Sequence, residues 1–168
     1  MCCCYRSGLL YNERNGLTAC DFRQACLWSK SLKPVIQLER TGCGIASVAA
    51  ITGQSYRQAK AMACSLGISA ADPHLWSDTA HVRRLLRHCG VRTGARELPF
   101  RGWRALPDLA LLSIKWHLQR GVPCWHWVVF VRRPDAAYVL DSKRSLRSHR
   151  RIDFGRMKPQ WYIPVMFS

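Results

Sequence analysis

The chain has 168 residues, which is enough for one domain that buries roughly two-thirds of its unfolded surface without disulfides or metals. Hydrophobic residues make up 48% of it and charged residues 21%, a composition that excludes wholesale disorder. Its apolar runs are too short to cross a bilayer, so the sequence predicts a soluble globular protein with no transmembrane segment.

The net charge is strongly positive, because 26 Lys and Arg residues face only 10 Asp and Glu residues, a balance of +16 at pH 7. A field of this sign attracts nucleic acid, an anionic membrane surface or an acidic protein partner, and net charge alone does not choose among them. The alternative interpretation is that the basic residues form a solvent-exposed face that binds no partner. No zinc-finger, RNP or basic-zipper pattern is present, so nucleic acid is not the favoured partner.

The nine cysteines are odd in number and irregularly spaced, and three of them are consecutive at positions 2 to 4. Polar and charged residues from 5 to 14 interrupt any signal-peptide core. We therefore expect cytoplasmic synthesis with mostly free thiols. No cysteine pair repeats at a zinc-binding interval, so we expect no metal and no cofactor. The run at 2 to 4 is interpreted as an unstructured tail, with palmitoylation as the alternative.

Residues 1 to 32 show no clean periodicity and are predicted to be an N-terminal extension, followed by one domain from 33 to 168. An apolar stretch of small residues runs from Cys43 to about Thr52 and predicts the first core helix. Gly53 follows as its stop signal.

Two further helices are predicted downstream. Ser55, with Gln58 three residues later, forms a capping box that opens the second helix, and Gly67 ends it. The third helix is predicted to begin at Ser77 and to end at Gly90, with arginines on its solvent side.

Beyond the helices the hydrophobic pattern changes to a period of two and to β-branched and aromatic residues. Helices followed by strands joined through short turns make an α+β domain with an antiparallel sheet. The predicted strands cover residues 91 to 96, 109 to 116, 124 to 132, 137 to 141 and 161 to 167.

Cys43 lies between Gly42 and Gly44 at the start of the first helix. We expect its sulfur to be within reach of substrate and to feel the positive end of the helix dipole, which favours the thiolate. Gly44 is expected to let an acyl group approach the backbone N–H of Cys43. Gln37, six residues upstream, is expected to supply a second donor to an oxyanion.

A histidine lies inside an apolar strand, where alternation places His126 on one face and Trp125 and Trp127 on the other. Asp141 ends the next strand, and the short connection implies antiparallel pairing. That pairing can bring the carboxylate beside the imidazole, where it would fix the tautomer and stabilise the imidazolium.

Each of these residues has an ordinary structural explanation when taken alone. A cysteine at a helix start is usually a core residue, a buried histidine is usually hydrogen-bonded, and an Asp at a strand end usually forms a turn. Their order along the chain favours the catalytic interpretation: Gln, then Cys-Gly opening a helix, then His in a strand, then Asp after the next strand.

The stretch from Gln37 to Gly44 resembles the Gln-x5-Cys-Gly motif of the papain-like superfamily. The segments HWVVFV and YVLDS resemble, more narrowly, the bacterial double-glycine leader peptidases, which process bacteriocin precursors during export. The resemblance covers residues 34 to 167 and implies a papain-like fold. It implies that Cys43 is the nucleophile, His126 the general base and acid, Asp141 the orienting residue, and Gln37 the oxyanion donor.

The chain departs from that family at three places. Gly42 stands where members commonly have Asp, Trp125 stands where a small residue precedes the histidine, and Ser142 stands where Pro follows the aspartate. The triad is kept. The candidate substrate-binding residues are Gly42, Gly44, Trp125 and Trp127, and the two tryptophans are expected to reshape or narrow the pocket.

The leading hypothesis is therefore a cysteine protease with a protein substrate, cleaving after a Gly-Gly pair if the resemblance extends to specificity. By analogy, a free-standing basic peptidase resembles bacterial toxins and effectors that a secretion system delivers into a target cell without a signal peptide. An acidic immunity protein is the matching partner. Two alternatives stay open: a papain-like deamidase or transglutaminase acting on Gln side chains, and a non-enzymatic basic module that binds nucleic acid or an acidic protein.

Overall fold

The structure, a computed structural model, describes residues 32 to 167. The predicted extension therefore lies outside the described residues, except for Leu32, and so does the run of cysteines at positions 2 to 4. Leu32 is buried in the core.

Helix α1 spans Cys43–Thr52, as predicted, and its residues from Cys43 to Ile51 are all buried. A helix that is apolar or small on every side is suited to the interior of a domain. It ends at Gly53, whose φ of 68° is the left-handed conformation that a glycine adopts at low cost.

Helix α2 spans Tyr56–Ser65 and opens with the predicted capping box. The Ser55 hydroxyl accepts a bond from the Gln58 backbone N–H, and the Gln58 side chain accepts one from the Ser55 N–H. These reciprocal bonds satisfy two backbone donors that the first helical turn leaves free, which explains why this start was predictable from local sequence.

Helix α3 spans Ala80–His88 and begins three residues later than predicted. A short 3-10 turn at Pro73–Trp76 comes first, and the Asp78 carboxylate accepts bonds from the N–H groups of Ala80 and His81 at 2.8 and 2.9 Å. Asp78 therefore lies before the helix and caps it, whereas the predicted helix, which began at Ser77, included Asp78.

Seven strands form one antiparallel sheet in the described residues, in the order β1-β7-β3-β4-β5-β6, with β2 paired to β7. Two of them, β2 and β6, were not predicted, because two residues are too few to show a period. The first predicted strand is shorter in the structure, and β3 and β4 are longer. The strands are β1 Val91–Thr93, β2 Leu98–Pro99, β3 Leu109–Gln119, β4 Val122–Arg132, β5 Ala137–Asp141, β6 Arg150–Arg151 and β7 Trp161–Phe167.

The tip of the β3–β4 hairpin is exposed, and the hairpin contains a bulge. Its register shifts between the pairs Ile114 with His126 and His117 with Cys124, and Lys115 within the shift has a φ of 55°. A bulge of this kind bends a strand and re-aims its side chains. Here the bulge follows directly after Ile114, the residue of β3 that pairs with His126.

Two hydrophobic clusters lie on opposite faces of the sheet. The larger one packs the helices against Trp125, Trp127 and Val129 of β4, and the smaller one holds Val128 and Phe130 on the other face. The alternation predicted for β4 is confirmed, and so is the α+β class, because the three helices pack on one large antiparallel sheet. None of the helices in the described range is long and apolar enough to span a membrane.

Candidate active site

Cys43 is the first residue of α1. Gly42 precedes it as the N-cap and provides no side-chain hydrogen bond to the helix end, so the positive end of the dipole is directed at Cys43 without a capping side chain. Cys43 is 0% exposed. The expected open access to its sulfur is not found here, because α1 lies enclosed between the sheet and the other two helices.

His126 lies within β4 and Asp141 ends the neighbouring strand β5, where it pairs with Val128 of β4. The His126 Nε2 lies 2.7 Å from Asp141 Oδ1. That carboxylate is fully buried, while the His126 side chain is 15% exposed. The same Oδ1 also accepts the backbone N–H of Lys143 at 3.0 Å, which holds the carboxylate in place. The predicted juxtaposition of His126 and Asp141 is thus present.

His126 also interacts with the Cys43 side chain, so the imidazole lies between the thiol and the carboxylate. Because Nε2 faces Asp141, Nδ1 is the ring nitrogen left for the sulfur. Burial on its own would lower the pKa of His126, but the interactions with Asp141 and Cys43 outweigh it and raise the pKa to about 9. The site therefore favours an imidazolium at neutral pH.

Gln37 is buried beside this group and is held by four hydrogen bonds. Its Nε2 donates to the backbone carbonyls of Glu39 and Arg40 at 3.0 and 2.9 Å, and its Oε1 accepts the Ser142 hydroxyl at 2.8 Å. Its backbone N–H donates to the Ser142 carbonyl at 3.1 Å. Both amide hydrogens of Gln37 are thus bound to backbone oxygens. Gln37 can donate a hydrogen bond to an oxyanion only if one of these two bonds breaks.

Gly42 and Gly44 face packed side chains rather than the cleft. A Cβ on Gly42 would lie 2.0 Å from Tyr56 Oη, and one on Gly44 would lie 2.2 Å from His81 Nε2. Both distances are shorter than atoms tolerate. The glycines let α1 approach α2 and α3, whereas the sequence had assigned them to substrate, because close helix packing is a long-range contact that the motif does not reveal.

Trp125 and Trp127 form an edge-on cluster with Trp161, with ring centroids 5.0 to 5.9 Å apart. Trp127 has 0% exposure and lies in the core, whereas Trp125 also lines the cleft beside His126. Of the two tryptophans expected to shape the substrate pocket, the structure places Trp125 at it.

The cleft beside His126 has a volume of about 520 Å³. Its wall combines the buried Gln37 and Trp125 with several basic side chains from different parts of the chain. No group of three or more His, Cys, Asp or Glu residues within positions 32 to 167 is arranged to hold a metal ion. The lining residues are Gln37, Leu38, Glu39, Arg40, Trp76, Lys115, His117, Gln119, Cys124, Trp125, His126, Lys143, Arg144 and Ser145.

The solved structures that are similar to this chain include two peptidase domains. A double glycine motif protease from an AMS/PCAT transporter, in complex with the leader peptide, has a TM-score of 0.54 and 16% identity, over 82% of this chain and 93% of that one. The peptidase domain of Streptococcus ComA, a bi-functional ABC transporter involved in a quorum sensing pathway, has a TM-score of 0.48 and 15% identity, over 82% and 100%. No family model and no curated protein matches.

The chain has the fold of a double-glycine peptidase domain. This confirms the resemblance drawn from the Gln-x5-Cys-Gly stretch and the papain-like fold that it implied. At 16% identity the likeness concerns the fold alone. The chemistry assigned to individual side chains rests on their own geometry.

Ser142 has a structural role that the sequence did not indicate. It stands where members of the resembling family commonly have Pro, and its hydroxyl holds the Oε1 of Gln37 while its carbonyl accepts the Gln37 N–H. The departure from the motif therefore ties the segment after Asp141 to the segment before Cys43.

Arg151 is the residue at this site that sequence reasoning missed. Its Nη1 donates to Asp141 Oδ2 at 2.9 Å, and its other nitrogens bind both oxygens of Asp153 at 2.9 and 2.7 Å. Burial would raise the pKa of Asp141, but the bonds and charge of His126 and the guanidinium of Arg151 hold that pKa well below its usual range. Within a run of basic residues, nothing local distinguishes this arginine from its neighbours.

Proposed function

We propose that the chain is a cysteine peptidase whose catalytic group is Cys43, His126 and Asp141. The observation that carries the proposal is the position of His126, which is hydrogen-bonded to a fully buried carboxylate and interacts on its other side with Cys43. A thiol at a helix N-terminus with an imidazolium beside it has the surroundings that favour a nucleophilic thiolate. The shared fold with a double glycine motif protease supports the same reaction class.

The proposed reaction begins with attack of the Cys43 thiolate on a peptide carbonyl carbon, which forms a C–S bond and moves negative charge to the carbonyl oxygen. His126 then gives its proton to the leaving amine as the C–N bond breaks, and a thioester remains. Neutral His126 next removes a proton from water, the hydroxide attacks the thioester, and the thiolate leaves with its electron pair. Asp141 keeps the imidazole oriented throughout.

The oxyanion is proposed to rest on the backbone N–H of Cys43 and on Gln37. Removing such a donor elsewhere costs roughly a hundred- to thousandfold in rate. Because both hydrogens of the Gln37 amide are bound to backbone oxygens, we propose that substrate binding displaces the bond to Glu39 or Arg40. Substrate must likewise gain access to Cys43, which is fully buried.

The finer part of the proposal concerns substrate and biological role. We carry over cleavage after a Gly-Gly pair from the resembling peptidases, with Trp125 at the cleft narrowing the space available to side chains. An intracellular protein target, a toxin or effector role and an acidic immunity protein belong to the same proposal. Gln-directed deamidation or transglutamination would use the same thiolate and imidazole on a side-chain amide.

The test is an incubation of the full chain with a peptide library rich in Gly-Gly pairs, followed by mass spectrometry. We expect new peptide termini, which disappear in Cys43→Ala and His126→Ala. A mass gain of about one dalton at a Gln residue, without cleavage of the peptide, would show that the chain is a deamidase and not a peptidase. Full cleavage by Cys43→Ala would rule out the proposed nucleophile.

Thiol labelling tests activation separately from substrate. Cys64 is exposed and Cys43 is buried, so accessibility alone predicts faster iodoacetamide labelling of Cys64. We expect Cys43 to react faster in spite of its burial, and we expect His126→Ala to reverse the order. Slower labelling of Cys43 in the native chain would contradict an activated thiol.

A further inference from the structure

Four basic side chains converge on the cleft that contains His126: Arg40, Lys115, Lys143 and Arg144. They come from separate segments, namely the loop before α1, strand β3 and the loop after β5, so their convergence is a product of the fold rather than of one basic run. Within residues 32 to 167, none of the four forms an ion pair with a carboxylate.

The acidic lining of this cleft is already neutralised. Among its lining residues the sole carboxylate belongs to Glu39, which is bound by the Lys60 ammonium and by the Tyr56 hydroxyl. Asp141 lies behind His126, fully buried, with Arg151 on its far oxygen. The four cations of the cleft therefore face a space that holds no free counter-charge among the described residues.

Lys115 and Lys143 are the most informative pair. Lys115 lies at the bulge in β3 with a φ of 55°, and both Lys115 and Lys143 line the cleft. Partial burial and then the repulsion from Lys143 lower the pKa of Lys115. A fold that places two like charges side by side at a cleft is stabilised by an anion that binds between them.

Arg40, another residue of the cleft lining, is held against the Trp76 ring. Its guanidinium lies 4.9 Å from the centre of the Trp76 ring, a cation–π arrangement that orients it without neutralising it. It keeps its N–H donors for a carboxylate, which an arginine binds through two parallel hydrogen bonds.

We propose that this cleft selects an acidic peptide segment, with Asp or Glu side chains of the substrate bound by Lys115, Lys143, Arg144 and Arg40 beside the scissile bond. The inference rests on the proposed peptidase function and names its substrate class. A volume of about 520 Å³ accommodates a few residues of an extended peptide. Nucleic acid is the disfavoured occupant. Proteins that bind it contact its phosphates along extended basic grooves and stack its bases on aromatic side chains. Here the cations line the same cleft as His126, the residue proposed to protonate a leaving amine.

The test measures binding to the full-length Cys43→Ala chain, so that cleavage does not interfere. Two fluorescent peptides share a central Gly-Gly pair and differ only in carrying Glu or Gln at the flanking positions. We expect the Glu peptide to bind at least about tenfold more tightly, with an advantage that decreases as salt rises. Lys115→Glu/Lys143→Glu should abolish or reverse the preference, and the milder Lys115→Gln/Lys143→Gln should reduce it.

The matched control is Arg57→Glu/Arg87→Glu, which changes the net charge by the same amount at two exposed helix positions away from the cleft. This pair should leave the Glu-to-Gln ratio unchanged. A ratio that decreases equally in both double variants would overturn the proposal, since it would then reflect the overall field of the protein.

The remaining outcomes separate this inference from proteolysis itself. If the Glu peptide is preferred but the wild-type chain cleaves neither peptide, the acidic specificity stands and the peptidase proposal fails. If both peptides bind and are cleaved equally, the peptidase stands and the acidic specificity is overturned. Tighter binding of single-stranded DNA than of the Glu peptide, lost in Lys115→Glu/Lys143→Glu, would assign the cleft to nucleic acid.

Discussion

Asp141 is bound on its two carboxylate oxygens by two different cations, since Arg151 Nη1 lies 2.9 Å from Oδ2 while His126 occupies Oδ1. The carboxylate is fully buried, so neither contact is replaced by water. Arg151 is itself fixed by two bonds to Asp153. The orientation of the proposed catalytic His126 therefore depends on Arg151, which acts on it through Asp141.

Replacement of Asp141 by Asn tests the carboxylate. Asp141 helps to raise the pKa of His126 to about 9 against the effect of burial, so its loss removes the first of the two contributions that oppose burial and lowers that pKa. We expect kcat/KM against a cleaved peptide to fall by about a hundredfold or more, and its alkaline limb to move from about pH 9 toward neutrality. The measurement is a pH–rate profile. An unchanged alkaline limb would show that Asp141 does not control His126.

Arg151→Met tests the residue behind the carboxylate. Breaking a buried ion pair costs about 3–5 kcal/mol. Because His126 still pairs with the other oxygen of Asp141, we expect a loss of unfolding free energy at the lower end, on the order of 3 kcal/mol. Loss of a nearby positive charge should also shift the alkaline limb of the pH–rate profile upward. The control is Arg147→Met, at an exposed position of the same basic segment. A stability loss without a shifted limb would leave Arg151 a purely structural role.

The raised pKa of His126 also links folding to pH. Its folded value of about 9 exceeds its ordinary value of 6.5, so the stabilisation is complete below pH 6.5 and is lost as pH rises through about 9. The difference corresponds to about 3 kcal/mol in the free energy of unfolding. Urea denaturation at several pH values should show this decline, and His126→Gln should flatten it. A decline of equal size in the variant would assign it to other groups.

Gly42→Ala tests helix packing at the start of α1. The backbone at Gly42 has a φ of −77°, which alanine adopts freely, so the expected loss of roughly 1–3 kcal/mol comes from the contact with Tyr56 Oη. Tyr56→Phe removes that oxygen, together with its 2.5 Å bond to Glu39. In a double-mutant cycle by thermal or urea unfolding, the combined variant should be more stable than the sum of the two changes predicts. Strict additivity would contradict the clash.

Local sequence was sufficient where the determinants of structure are local. The bounds of α1, the capping box of α2 and the strand from Ala137 to Asp141 were all predicted, because stop glycines, caps and side-chain alternation act within a few residues. The delayed start of α3 was not predicted, since a 3-10 turn precedes it and Asp78 then caps the helix from outside, neither of which the helical period encodes.

The succession of helices and then strands was sufficient to predict the fold class, and the short connection between two strands was sufficient to predict that His126 lies beside Asp141. Only the tertiary structure decided what surrounds the candidate site. It buried Cys43, turned Gly42 and Gly44 toward helix contacts and placed Arg151 behind the carboxylate. It also gathered cations from three segments around His126. Such contacts join residues far apart in the chain, and their energies depend on distance and burial in the folded domain, which no short stretch of sequence specifies.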